Sequence, residues 1–428
     1  MFKFNIVIIN LFVLFCQLSS AQNPVWGWGP PITTSLNGTT LNCTTYDPIL
    51  NTTKTYNIYN VANFINSDGV VAWVTSGSTV GGLIYDINEG AWKQTTFSSN
   101  TGNTIQNSSG VIAWVSSAGT VGGAVYDPNQ KVWKYTTFSS NTGNSIINEE
   151  GVIAWVSSAG TVGGAIYDPA QQVWKYTTFS SNTGNSILNS EGIIAWISSS
   201  GTVGGAVYDP DQQVWKYTSF SSGSSNANLS IINGTVFWNS ASGVQKYGYN
   251  VNSKSWSNNY NTDLYCKLFA SEISGNKPLI TYLWCLSIGA NSYSYSCGDG
   301  HTINRRWAFK QYNNPGNYNV TLSIFNSQFN NTCNKSIVVY DPLDIAEINN
   351  VNVKIYPNPV ERNKILFVNA AVPLTQIKLM SLSGTVTVDW LINNNSNEII
   401  LPDVTAGIYF LECTLKDKSK TINKIVIY

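Results

Sequence analysis

Charge is what this chain has least of. Only 11% of its 428 residues are Asp, Glu, Lys or Arg, and 23 basic against 23 acidic residues leave no formal net charge. Nucleic-acid binding needs a clustered excess of Lys and Arg to release phosphate counterions, so that partner is excluded. Histidine occurs once, at His301, outside the repeats described below, which removes Ser-His-Asp and histidine-metal chemistry from them. After the first 21 residues no stretch approaches the roughly 18 uninterrupted apolar residues of a spanning helix, so no transmembrane segment is expected. The polar surface must come from Asn, Ser, Thr and Gly, and a chain of this length implies several domains.

The first residues read Lys3, an apolar run from Ile6 to Phe15, then Ser19-Ser20-Ala21 before Gln22. This is the pattern of a secretory signal peptide over 1–21 with a small-residue cleavage site. A lipid anchor at Cys16 is the rival reading, disfavoured by bulky Phe15 where such sites take a small residue. Without Cys16, the cysteines are Cys43, Cys266, Cys285, Cys297, Cys333 and Cys413. Four crowd into one short stretch, where an oxidising compartment favours one or two disulfides with three connectivities open. Cys285 with Cys297 and Cys266 with Cys333 is the preferred pairing. The spacings lack the close pairs of a zinc site, and no metal or cofactor is expected.

What the sequence has in abundance is itself. Trp73, Trp114, Trp155 and Trp196 stand 41 residues apart. Tyr85-Asp86, Tyr126-Asp127, Tyr167-Asp168 and Tyr208-Asp209 keep that interval, as do Trp92, Trp133, Trp174 and Trp215. A looser copy holds Trp238, Tyr249 and Trp256, and Cys43 to Pro48 aligns with the Tyr-Asp-Pro segment of later copies, giving six units over 22–262.

One unit, Asn144 to Ser180, reads as four strands joined by tight turns at Glu149-Glu150-Gly151, Ala159-Gly160 and Asp168-Pro169. That is the anatomy of a propeller blade. Val152-Ile153-Ala154-Trp155-Val156 is apolar throughout, so both its faces must be covered, as they would be between neighbouring blades. Gly163-Gly164 is expected to leave room for a tryptophan of the adjacent blade. Six blades close a ring, with Trp26-Gly27-Trp28 and the strand near Trp256 pairing to complete it. An open β-solenoid is the alternative architecture.

The recurring aspartates precede turns and read as turn devices, as do Glu149 and Glu150. No catalytic residue is assigned. The innermost strands would line the channel, so Asn144, Ser145, Asn185 and Ser186 are the candidate ligand-binding residues, able to hydrogen-bond a glycan or peptide through repeated weak contacts.

From 263 to 341 the repeat is gone, and strand-like runs such as Leu279 to Trp284 and Val320 to Phe325 suggest a β-sandwich. Gly298-Asp299-Gly300, Tyr312 and Pro315-Gly316-Asn317-Tyr318-Asn319-Val320 resemble the polycystic-kidney-disease (PKD) repeat family, with departures at Tyr295, Ser296, Cys297 and Lys310. The resemblance implies an immunoglobulin-like extracellular spacer or interaction module.

After a linker at 342–352, the tail 353–428 alternates like another small sandwich. Tyr356-Pro357-Asn358-Pro359, then Leu382-Ser383-Gly384, then Gly407-Ile408-Tyr409-Phe410-Leu411, then Lys424-Ile425-Val426-Ile427 follow in order. The series resembles the type A C-terminal sorting domain of the type IX secretion system. It implies Sec export, passage over the outer membrane and contact with the type IX machinery, with Tyr356, Pro357, Asn358, Pro359, Gly407, Tyr409 and Lys424 as the sorting motif.

The expected fold class is therefore all-β: a six-bladed β-propeller followed by two small immunoglobulin-like β-sandwich domains. The expected function is a secreted or cell-surface, non-catalytic binding or adhesion protein with an extracellular glycan or protein ligand. The alternative is a polysaccharide-active enzyme using channel carboxylates.

Overall fold

The computed structural model describes residues 25–26, 29–98, 101–139, 142–180, 183–221, 228–341, 353–416 and 420–428. The expected signal peptide at 1–21 and linker at 342–352 lie outside them. The chain divides into two compact units, 1–341 and 342–428. Among the described residues there is no helix, and strands gather into many small antiparallel sheets.

Six of those sheets are the sequence repeats. The fourth holds Thr142–Glu149, Val152–Ser157, Val162–Asp168 and Val173–Ser180, paired in chain order as a meander. The first sheet has three strands, Thr33–Asn37, Thr40–Asp47 and Thr52–Ile58. The strands Val152–Ser157 and Val162–Asp168 are buried at every residue, because a sheet packs against each of their faces.

The paired glycines make room for the expected tryptophan of the adjacent sheet, since a Cβ on Gly82 would fall 2.8 Å from Trp133 and one on Gly205 3.2 Å from Trp256, and they also admit rings of their own sheet. A Cβ on Gly163 would fall 2.2 Å from the ring of Trp155, its cross-strand partner in the same sheet. A Cβ on Gly164 would meet Phe179 of the same sheet at 2.7 Å and Ile194 of the next at 2.6 Å. The second-strand indole thus folds over its own sheet's first glycine, and the preceding sheet adds a phenylalanine to it. Phe138 stacks on Trp155 with centroids 5.6 Å apart, and Phe97 on Trp114, Phe179 on Trp196 and Phe220 on Trp238 repeat the contact.

Two polar bonds accompany each stack. Trp174 Nε1 donates to Lys134 O at 3.0 Å, repeated by Trp133, Trp215 and Trp256 on the preceding sheets. Tyr167 Oη donates to Asp127 Oδ2 at 2.6 Å, and Tyr85 to Asp47, Tyr126 to Asp86, Tyr208 to Asp168 and Tyr249 to Asp209 do the same.

The expected ring is not seen. From the second sheet to the sixth, consecutive sheets touch at both their first and fourth strands, as stacked layers do and wedge-shaped blades do not. The two terminal sheets each leave a face to solvent. Thr40–Asp47 alternates in burial, and Val244 is 70% exposed where its counterpart Val203 is buried. Tyr46 is exposed and bonds Asn51 within its own turn, and the Asn250 side chain likewise accepts the N–H groups of its own turn. Val25–Trp26 pairs with Phe309 and Lys310, not with the strand around Trp256.

The rest of the first unit is two facing sheets. One orders Val25–Trp26, Trp307–Tyr312, Leu279–Cys285 and Leu268–Ala270; the other orders Ser274–Asn276, Asn330–Tyr340, Gly316–Phe325, Ser292–Ser296 and Thr302–Ile303. Leu279–Cys285 and Trp307–Tyr312 are buried on both faces. Leu283, Ala308 and Tyr312 face the partner sheet, while Ile280, Tyr282, Trp284, Trp307 and Phe309 pack into the core of the repeats. Cys266 and Cys333 form a disulfide as expected. Cys285 and Cys297 do not pair: Cys285 lies beside Ser287 and Arg306, Cys297 beside Asp299 and Lys310. Burial pushes the Cys297 thiol up to about 12, so it stays protonated.

In the second unit the long strand Ile365–Met380 breaks register between Asn369 and Leu374 and pairs Val353–Tyr356 with one half and Gly407–Leu415 with the other. Such a break bends a strand. Val386–Ile400 runs along the whole of it, and Lys420–Ile427 closes the outer edge.

Replacing Trp155 by Ala removes a fully buried indole from a site lined by Gly163 and Phe138, and is expected to destabilise the first unit by about 3–5 kcal/mol. Chemical denaturation of the two proteins measures it, and a loss under about 1 kcal/mol would remove the tryptophans from the core.

Candidate functional site

The repeated aspartates prove to be bifunctional. Asp127 Oδ1 accepts the backbone N–H of Asn129 at 2.9 Å and of Gln130 at 3.0 Å, which forms the turn read from the sequence. Its other oxygen takes the Tyr167 phenol of the next sheet. Burial, and after it the aspartate, pushes the phenols of Tyr126, Tyr167, Tyr208 and Tyr249 well above their ordinary range, so they remain donors. Burial opposes ionisation of Asp209, yet the Gln212 N–H, Tyr249 and Lys254 hold its carboxyl below the usual range. These carboxylates are buried and committed to structure.

Ser145 and Ser186 are exposed on the first strands of the fourth and fifth sheets, paired with Val156 and Ile197. The side chains of Asn144 and Asn185 lie outside the described residues. These first strands are edge strands of their sheets.

Asymmetry enters at the turns between first and second strands. Asp68-Gly69, Ser109-Gly110, Glu150-Gly151, Glu191-Gly192 and Asn233-Gly234 all have positive φ at both residues. Such a turn favours Asn or Asp followed by Gly. Glutamate at 150 and 191 departs from that preference; the longer side chain of Glu150 reaches out of the stack, and that of Glu191 reaches the turn of the last repeat. Glu150 Oε2 accepts the Tyr293 phenol at 2.9 Å and lies 3.4 Å from Arg306, while the Glu150 carbonyl takes Trp307 Nε1 at 3.0 Å. Arg306 is buried and also donates to Cys285 O at 3.2 Å. Arg305 pairs with Asp68, and the Glu191 carboxylate accepts the Gly234 N–H. Asp68, Glu150, Tyr293, Arg305 and Arg306 line a polar cleft of about 490 Å3. Glu150 is a turn residue, as its sequence context implies; nothing in the sequence marks Arg306 and Tyr293 beside it except the unusual Glu-Gly turn.

A second cleft, of about 520 Å3, is lined by Val251, Asn252, Tyr260–Tyr265 and Phe329–Asn331. In the second module, Asp299 Oδ2 sits 2.7 Å from the fully buried Lys310 ammonium and 3.3 Å from His301. Burial opposes ionisation there, and Lys310 outweighs it, holding the Asp299 carboxyl below its usual range.

The tail motifs meet in space. Asn358 Oδ1 accepts the Val426 N–H at 2.9 Å and its Nδ2 donates to Lys424 O at 2.8 Å, tying the first motif to the last. Val360 bridges to Ile427. Tyr356 stacks on Phe367 at 5.3 Å, and Tyr409 is buried with its phenol on Thr405 O. Gly407 opens the strand that pairs with Ile427.

Residues 354–428 match the secretion system C-terminal sorting domain. This tail is a sorting domain. It marks the chain for export by the type IX secretion system, to the cell surface or beyond. No curated protein sequence matches the chain closely. Among solved structures it is similar to the extracellular domain of BT4673 from B. thetaiotaomicron, at 12% identity over 96% of this chain and 58% of that one, TM-score 0.22. PorZ, an essential surface component of the type IX secretion system of Porphyromonas gingivalis, aligns at 11% identity over 93% and 70%, TM-score 0.16. Prp20p of Saccharomyces cerevisiae aligns at 10% identity over 68% and 82%, TM-score 0.27.

Burial first, and then Glu150, raises the Glu149 carboxyl above its ordinary range. A carboxyl raised in the fold binds more protons there than in the unfolded chain, so its contribution to stability falls as pH climbs from about 4.3 through the raised value. Glu149→Gln is therefore expected to raise the melting temperature at pH 7, with the gain gone near pH 4. A gain that grew on acidification would reverse the assignment.

Proposed function

We propose that this chain is a secreted or surface-displayed binding protein without catalytic activity, in which the stacked repeats and the module docked on them form one extracellular body. The sorting domain supplies the destination. The observation that carries the rest is the fate of the recurring aspartates: each is buried, caps its own turn and, from Asp47 to Asp209, holds the next sheet's tyrosine. A hydrolase built on paired carboxylates needs them facing a substrate, which this commitment works against.

The repeats are read as blade-like units arrayed openly, and the residues 263–341 as a PKD-like module. The tight Gly298-Asp299-Gly300 turn and the strand Gly316–Phe325 support the second reading. Adhesion through such a body suits many weak contacts made together.

The exported protein, incubated with insoluble polysaccharides and with immobilised extracellular proteins, is expected to co-sediment with or be retained by at least one of them. Reducing ends should not accumulate in the same tubes. Turnover that survives Asp→Asn replacement throughout the repeats, or retention by no surface at all, would count against this function.

A further inference from the structure

The cleft behind the last repeat has the chemistry of a sugar site, and we propose that it binds a neutral oligosaccharide. The proposal rests on the reading of the chain as an extracellular binding protein and adds its site and ligand class. Three aromatic rings, Tyr260, Tyr265 and Phe329, line the cleft together with Asn252, Asn330 and Asp263. A sugar presents an apolar C–H face and hydroxyls that both donate and accept. Rings answer the first, and amides and a carboxylate answer the second.

The rings are already held in place. Tyr265 donates to Asp211 at 2.6 Å beneath the Lys254 ammonium, and Tyr260 donates to Asp263 Oδ1. Phe329 sits on a tight hairpin tip, where Asn326 Oδ1 accepts its N–H at 2.8 Å and Asn326 N donates to its carbonyl at 3.0 Å. Phe329 is nonetheless 55% exposed. A large apolar side chain fixed on a rigid tip and left uncovered is a pre-organised contact.

Asp263 adds an independent observation. Its Oδ2 is buried and has no hydrogen-bond donor among the described residues. The residue belongs to the cleft lining, and a small side-chain shift would bring this oxygen to a sugar hydroxyl as an acceptor. The nearby ammonium groups are matched already, Lys254 by Asp209 and Asp211 and Lys267 by Asp211, so nothing in the surroundings calls for an anionic ligand.

The full exported chain screened against immobilised neutral oligosaccharides, with titration calorimetry on the best binder, tests this. Phe329→Ala is expected to weaken that binding at least tenfold and Asp263→Asn several-fold, both at unchanged melting temperature, while Tyr176→Ala on a distant repeat stays within twofold. Equal affinity in both cleft variants would move the site elsewhere and leave the binding function standing. A ligand found only among proteins or charged glycans would overturn the ligand class alone. No ligand of any kind would end both.

Discussion

Everything in the repeat region hangs on one bond made at each junction between sheets: a tyrosine phenol of one sheet on an aspartate of the sheet before. A buried carboxylate is costly unless its lone pairs are filled. Here one oxygen caps a turn and the other takes the phenol, so the group that shapes a sheet also registers its neighbour. The aromatic stack of Phe on Trp provides the burial, and the glycine pair gives the indole a place to lie. Burial is non-directional and would tolerate sliding; the phenol-carboxylate bond does not.

Much of this was legible, and what was not has physical reasons. The fixed interval of Trp, Tyr-Asp and Gly-Gly disclosed the sheets and their strands, and the unbroken apolar run at Val152 disclosed that both faces are covered. Whether the array closes cannot be read from the internal copies, since each has two neighbours in a ring or a stack. The terminal copies carry that information. Asn42-Cys43 and Gln245-Lys246 stand where internal copies have Gly-Gly, and polar end repeats are how an open array meets water.

The docked module follows the same logic. Leu279–Cys285 and Trp307–Tyr312 are buried on both faces because one face meets its partner sheet and the other meets the repeats. Pairing contacts such as Glu150 with Arg306 are invisible in sequence, since 156 residues separate them and no spacing rule joins them. The sugar cleft shares that obscurity: Tyr260 and Phe329 come together only through the fold. The tail was the reverse case. Its motifs lie close along a short segment, and Asn358 shows why they travel together, since it ties the first strand to the last.

A double-mutant cycle on Tyr167→Phe and Asp127→Ala measures the bond on which the stack depends, because turn effects of the aspartate cancel in the coupling term. A hydrogen bond to a charged group predicts a coupling of about 1.5–3 kcal/mol. A coupling indistinguishable from zero would mean that packing alone aligns the sheets, and would contradict this account.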